Sequence, residues 1–219
     1  SVGAVDIYEF DGTNATLKQT IEGNNDGDGF SYGGICIDGN KMLIGESYKS
    51  HVYLYEYNGT SWILSETFVG NISRQFGCSI SIKDNKIAIG SYSYHDGSIS
   101  CGAFYIYTYD GSNWNGTGPI MASDKADGDQ FGRAVSIYGD YAVVGAYYAD
   151  SNGTSYAGKA YIFEFDGTNW VEKQITEGTN VSDNLGGAVY VNENHIFVCA
   201  HASDLNGINS GEVREYKNS

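Results

Sequence analysis

His195, Cys199 and His201 form the one cluster of imidazole and thiol groups in this 219-residue chain whose spacing hints at a metal or an activated nucleophile. Alternation puts all three on one face of a strand. At about 3.3 Å per residue, however, His195 and His201 stand roughly 20 Å apart, too far to share an ion. Cys199 and His201 alone would need ligands from elsewhere, so structural roles are expected for all three. Asp124, Asp127 and Asp129, and the DGDG stretch at 26–29, bring together the carboxylates and carbonyls that Ca²⁺ coordination uses. The same residues also make solvated acidic turns, and that is the expectation here, with no cofactor required. No Gly-rich loop opens a helix for phosphate, and no Ser-His-Asp or paired-carboxylate arrangement stands out, so no catalytic residue is nominated and a non-enzyme is expected. Six Asn-x-Ser/Thr sequons, at Asn14, Asn58, Asn71, Asn115, Asn152 and Asn180, fall in or beside predicted turns, where an attached oligosaccharide would face solvent.

These groups are positioned by a repeat. GAVDIYEFDG at 3–12 recurs as SHVYLYEYNG at 50–59, GAFYIYTYDG at 102–111 and GKAYIFEFDG at 158–167, with a shorter copy, GEVREYKNS, from Gly211. Within each copy, apolar and polar residues alternate in period two, which is a strand. Between copies, IDGNKMLIG, IKDNKIAIG, IYGDYAVVG and VNENHIFVC each join two apolar runs through a short polar turn, which is a hairpin. A tight turn at Asp11-Gly12, Asn58-Gly59, Asp110-Gly111 or Asp166-Gly167 then leads into a fourth short strand. Four strands per repeat with no helical period describe the blades of an all-β propeller. Trp62, Trp114 and Trp170 recur at one position per blade and are expected to pack strands rather than to bind ligand.

Composition agrees. Gly supplies 30 residues and Tyr 19, while Pro occurs once, so turns are made by Gly, Asn and Asp. A formal charge of -15, from 27 acidic and 12 basic side chains without a basic stripe, argues against nucleic acid as a partner. No apolar run reaches the roughly 18 to 20 residues of a membrane span, and membrane insertion is not expected.

The stretch 125–174 resembles an FG-GAP repeat: Phe131-Gly132 opens the first strand, Val144-Gly145-Ala146 closes the second and Gly158 starts the third. The resemblance extends over the whole chain. It is clear in the second blade (Phe76-Gly77, Ile89-Gly90-Ser91) and looser in the first (Phe30-Ser31-Tyr32-Gly33). In the fourth, Leu185-Gly186 replaces Phe-Gly and Cys199-Ala200 replaces Gly-Ala. Such repeats build the propeller of integrin α-chain heads and of secreted proteins, so the resemblance implies an extracellular or cell-surface interaction module without catalytic residues. Integrin-like members carry a DxDxDG calcium loop between the first two strands; the turns KDNK and YGDY depart from it.

With the strands of a repeat labelled A to D, the chain reads as a single domain, 1–219. Its repeats lie near 1–21, 28–68, 76–120, 131–175 and 183–217, in the order C-D, three A-B-C-D units, and A-B-C. That makes 17 strands, one more than four closed blades need, so an incomplete ring or arc is expected. Strand A, carrying Ile35, Ile37, Ile80, Ile82, Val135, Ile137, Val189 and Val191, should be buried along the axis. Four cysteines allow three pairings. The start of A meets the start of C at one rim, so Cys78 and Cys101 are expected to form a disulfide, with Cys36 and Cys199 free. The partners expected are another protein bound through the loops 92–100 and 147–157, further copies of the chain assembling as a filament or coat, or glycans.

Overall fold

The computed structural model describes residues 2–24, 27, 29–71, 74–204, 207 and 210–217. Every regular element among them is a strand, and consecutive strands pair antiparallel through short hairpins. β1 (Ala4–Phe10) and β2 (Ala15–Glu22) form a two-stranded sheet, the C and D strands of blade 0. Blade 1 is β3 (Phe30–Asp38), β4 (Lys41–Glu46), β5 (His51–Tyr57) and β6 (Trp62–Val69). Blade 2 is β7 (Phe76–Lys83), β8 (Lys86–Ser91), β11 (Ala103–Tyr109) and β12 (Trp114–Ile120); the small hairpin β9 (His95–Asp96) and β10 (Ile99–Ser100) decorates its B–C loop. Blade 3 is β13 (Ala134–Tyr138), β14 (Tyr141–Ala146), β15 (Lys159–Phe165) and β16 (Trp170–Glu177). Blade 4 is β17 (Leu185–Val191), β18 (His195–Ala200) and β19 (Glu212–Lys217). The 17 expected blade strands are all present, and β9 and β10 are the additions.

The C–D turns show how local chemistry fixes these hairpins. Asp11 Oδ1 accepts the N–H groups of Thr13 and Asn14, both at 2.8 Å, and Asp110 does the same for Ser112 and Asn113. Asn58 and Asp166 repeat the arrangement. A glycine with φ of 95–99° follows each of the four, a backbone conformation that a Cβ disfavours.

The apolar core lies between blades. Phe104 and Ile106 of blade 2 meet Phe131, Tyr161 and Phe163 of blade 3, with ring centroids 4.9 to 6.2 Å apart. Leu43, Val52 and Leu54 of blade 1 pack on Phe76, Ile87 and Ile89 of blade 2. Val143 and Ile162 of blade 3 pack on Leu185 and Val198 of blade 4. Val5 and Ile21 of blade 0 pack on Phe30 and Ile44 of blade 1. The recurring tryptophans are structural in this scheme. Each stacks near the aromatic residue that ends its own C strand, Tyr57 with Trp62, Tyr109 with Trp114 and Phe165 with Trp170, at 5.2 to 5.5 Å.

A pair of glycines sets the distance between neighbouring blades. A Cβ on Gly45, Gly90 or Gly145, the B-strand glycine of blades 1, 2 and 3, would come closer than 3.0 Å to the carbonyl oxygen of Gly77, Gly132 or Gly186 of the following blade. Those three oxygens are aimed by a backbone φ of 87° at each glycine. Beside this contact runs a hydrogen bond at constant register: Ser81 Oγ accepts the Ile137 N–H at 3.1 Å, and Ser136 Oγ accepts the Val191 N–H at 3.0 Å. Cys36, at the same register of blade 1, takes the Ile82 N–H.

The inner strands β3, β7, β13 and β17 follow one another and line a central cavity of about 460 Å³, but the sheets do not join into a ring. β17 and β3 lack the close packing that successive inner strands share. The blades therefore form an open, propeller-like arc, and both β1 and β19 keep their C-strand places because neither has to yield to the other. This openness corrects the expected burial of strand A. Ile82, Val135, Ile137 and Val191 are buried, and Ile80 and Val189 are half-buried, but Ile35 and Ile37 are 47% and 57% exposed. Among the described residues no inner strand precedes β3 to cover them.

Two substitutions test this account by urea denaturation. Gly145→Ala should cost on the order of 3 kcal/mol or more, since a blade must move to admit the methyl group, whereas Cys199→Ala, at the equivalent position of blade 4, should change stability by about 1 kcal/mol or less. Ser50 occupies the place of Gly102 and Gly158 with φ of 58° and a buried hydroxyl without a hydrogen bond. Ser50→Gly should therefore stabilise the chain by about 1 kcal/mol.

Candidate functional site

The B–C connection of blade 1 needs only residues 47–50, whereas blades 2 and 3 use 92–102 and 147–158. The fold does not require the extra length, and both long loops stand on the same rim as the linker that enters blade 3. That linker carries Asp124, Asp127 and Asp129. Asp127 Oδ1 accepts the Ser100 N–H at 2.8 Å and so binds the linker to the loop of blade 2. Lys125 adds an ion pair with Asp96 at 3.0 Å. Asp129, only 7% exposed, accepts the Ala126 N–H at 2.7 Å and closes the linker turn. Asp124 receives Lys159 Nζ at 2.5 Å and Tyr161 Oη at 2.8 Å. In blade 1 the equivalent tyrosine, Tyr53, instead donates to Glu46, with His51 Nδ1 3.3 Å from the same carboxylate oxygen.

Between the linker and the blade 3 loop lies a cavity of about 840 Å³. Asp127, Asp129 and Asp150 line it with Tyr148 and Tyr156, and Ser182 and Asn184 join them beside the loop, their N–H groups donating to the Ser155 and Tyr156 carbonyls. Gln130, Tyr156, Ser182 and Asn184, all on this cavity, have φ between 53° and 62°, which L-residues seldom adopt. Asn184 Nδ2 donates to the Tyr147 carbonyl at 3.0 Å, tying blade 4 to the loop.

Electrostatics divides the three aspartates. Burial works against ionising Asp124, but hydrogen bonds from Lys159 and Tyr161 and the Lys159 charge outweigh it and hold its carboxyl below the usual range. Burial pushes Asp129 upward, and the carboxylates of Asp124 and Asp150 add to the effect, although the Ala126 N–H and Lys159 oppose it. Asp127 and Asp129 each accept a backbone N–H and Asp124 makes an ion pair, but Asp129 is buried rather than solvated as expected. Among the described residues no three carboxylate, imidazole or thiol groups gather as a metal would require. The DGDG stretch falls partly outside the described residues, since Asp26 and Asp28 are not among them.

The other nominated residues lie apart. Cys78 and Cys101 are free thiols, not the expected disulfide. Meeting at one rim does not suffice, because Cys78 sits in a strand bulge with Sγ 3.5 Å from the Gly132 carbonyl of blade 3, whereas Cys101 Sγ approaches the Gly102 carbonyl. Cys36 and Cys199 are also free. His195 pairs with Glu215 at 3.4 Å, and His201 lies beyond the end of β18, beside Tyr147, so no joint site arises. All six sequon asparagines are exposed. No helix among the described residues is long and apolar enough to cross a membrane.

Residues 114–163, from the last strand of blade 2 to the third of blade 3, match the family model described as the FG-GAP repeat. The chain carries an FG-GAP repeat. The matched segment contains Phe131-Gly132, Gly145-Ala146 and Gly158, the elements whose backbones meet the neighbouring blades. No curated protein matches the chain. Sequence reasoning reached the aspartates and the loop 147–157 that carries Tyr148 and Tyr156, but it did not reach Asn184, which comes from the next blade.

The opposite shifts predict pH behaviour. Asp124, with its carboxyl depressed, contributes stability that is present above the unfolded value near 4 and is lost as pH falls through the folded value. The melting-temperature gap between the parent chain and Asp124→Asn should therefore be full at neutral pH and close in acid. Asp129, with its carboxyl raised, weighs against folding at neutral pH and is relieved as pH falls toward about 4. Asp129→Asn keeps an acceptor for the Ala126 N–H and should be neutral or stabilising at pH 7 in the same melts.

Proposed function

We propose that the chain is a non-enzymatic, extracellular interaction module that holds a protein partner through the rim loops 92–102 and 147–158. The FG-GAP repeat together with the propeller-like fold supports a protein-interaction role in general. The observation that carries the finer reading is that blades 2, 3 and 4 connect B to C through 92–102, 147–158 and 201–211, where blade 1 makes the same connection with residues 47–50. Loops held on a rigid sheet scaffold are common places for recognition. Exposed sequon asparagines and a charge of -15 agree with a glycosylated surface in contact with aqueous surroundings.

A second reading, self-assembly into a filament or coat, draws on the end faces of the arc. Tyr8, Phe10 and Leu17 are exposed on blade 0, and Tyr190 and Val213 on blade 4, and apolar groups of this kind mark contact surfaces. The two faces differ, so contact between them would be heterologous and would propagate.

Two measurements separate the readings. Replacing residues 147–158 by the sequence of 47–50 should leave the fold intact and abolish binding to a partner found on an array of extracellular proteins; a partner indifferent to both loops defeats the loop reading. Light scattering over a wide concentration range should find a monomer. A polymer that Phe10→Asp or Val213→Asp disperses would establish self-assembly in its place.

A further inference from the structure

We propose that the cavity beside the 147–158 loop binds a short neutral saccharide. Its approximately 840 Å³ exceed what a single ion needs, and its carboxylates do not converge on one point. They are spread around the wall and oriented in advance: Asp127 is held by the Ser100 N–H, Asp129 by the Ala126 N–H and Asp150 by the Tyr156 N–H. Separated acceptors suit a ligand that carries many separated donors.

The lining also supplies donors, in the hydroxyls of Ser155 and Ser182 and the ammonium of Lys159. A cation would use acceptors only and would be repelled by Lys159, whose side chain is 12% exposed and charged through Asp124. Sugar hydroxyls donate and accept at every oxygen, and a mixed lining matches them. The apolar faces of a sugar ring need an aromatic surface, and Tyr148 and Tyr156 provide one at the mouth, 39% and 51% exposed with centroids 5.4 Å apart and planes at 61°. Tyr148 is backed by Tyr147, stacked at 4.1 Å, with the Arg133 guanidinium 5.9 Å from the Tyr147 ring. Tyr156 keeps its ring there despite a φ of 53°, where glycine would fit without strain. The saccharide reading shares a rim with the proposed protein contact but does not rest on it, because it uses the cavity wall and leaves the loop length unchanged.

The test is saturation-transfer NMR and calorimetry on the full chain with cellobiose, lactose, maltotriose and chitobiose as probes, and with spermidine and calcium chloride as rivals. At least one saccharide should bind, with an affinity changing less than about twofold between roughly 50 and 500 mM NaCl, since no counter-ion is released. Tyr156→Ala and Asp150→Asn should each weaken binding about tenfold. Ser182→Ala, which removes a lining hydroxyl but keeps the backbone bond from Ser182 to the Ser155 carbonyl, should weaken it severalfold, and Trp62→Phe should leave it unchanged. Binding of spermidine or calcium with no saccharide bound, saccharide binding indifferent to Tyr156 and Ser182, or no binding of any probe would each overturn the proposal.

Discussion

A carbonyl oxygen that reaches into the space of a missing Cβ holds this protein together. Gly77, Gly132 and Gly186 adopt a left-handed backbone, and each points its carbonyl at a glycine in the B strand of the preceding blade. Sheets packed through side chains alone lie about 10 Å apart, whereas here backbone meets backbone at the axis and side chains fill the wedge outside it. The wide outer part of that wedge explains the residue sizes. Phe131, Phe163 and Tyr161 sit where the blades diverge, and glycine sits where they touch. The Phe-Gly pair is in this sense one device, with its glycine setting the approach and its phenylalanine filling the gap that the approach leaves.

Because this contact is made by backbone, it leaves the loops unconstrained. Blade 1 closes its B–C connection with residues 47–50, while blade 3 uses 147–158 without altering the register between β14 and β15. Inter-blade packing thus belongs to the sheets and recognition can belong to the rim. At the opposite rim, that of the A–B turns, polar side chains join neighbouring blades. Lys86 of blade 2 donates to the Gly139 carbonyl at 2.7 Å and to Asp140 at 2.6 Å, and it also lies 5.6 Å from the rings of Phe165 and Trp170. In a chain so rich in carboxylates, each lysine used in this way also offsets local repulsion.

Much of the fold was legible because repetition amplifies weak signals. A single Asp-Gly pair or one alternating run says little, but four copies at similar spacing define strand, turn and blade together. The burial of Ile35 and Ile37 was not legible. Their pattern is identical to that of Val135 and Ile137, and the difference lies in what stands opposite, which the local sequence does not encode. The Cys78 and Cys101 pairing failed for a related reason. Topology places both at one rim, but the bulge between Phe76 and Ser79 turns Cys78 toward the next blade, and a bulge is a matter of one residue's register. At the rim, Asp124 and Asp129 were legible as acidic turn residues. Their opposite ionisation behaviour depends on burial at Asp129 and, at Asp124, on Lys159 and Tyr161, 35 and 37 positions away.

Departures from the repeat carry information of their own. Cys199 stands where blades 1, 2 and 3 have the B-strand glycine, and Tyr190 stands at the register where Ser81 and Ser136 accept the next blade's N–H. Both lie on the outward face of blade 4, which no following blade covers in this structure; Tyr190 is 55% exposed. On the opposite side of the gap, Ser31 takes the place of the left-handed glycine in blade 1, with φ of 64°. Either cysteine or tyrosine at an occupied junction would force the blades apart, one by its Cβ and the other by its ring. Their confinement to an uncovered face is what the packing constraint requires, since the glycine and a small acceptor, serine or the Cys36 thiol of blade 1, are needed only where a neighbouring backbone arrives. The same constraint opposes joining blade 4 to blade 1 through the interlock used elsewhere, because Cys199, not glycine, would have to receive the carbonyl, although Ser31 already has the left-handed backbone that aims it. The open arc therefore agrees with the residues at two positions of blade 4, Tyr190 and Cys199.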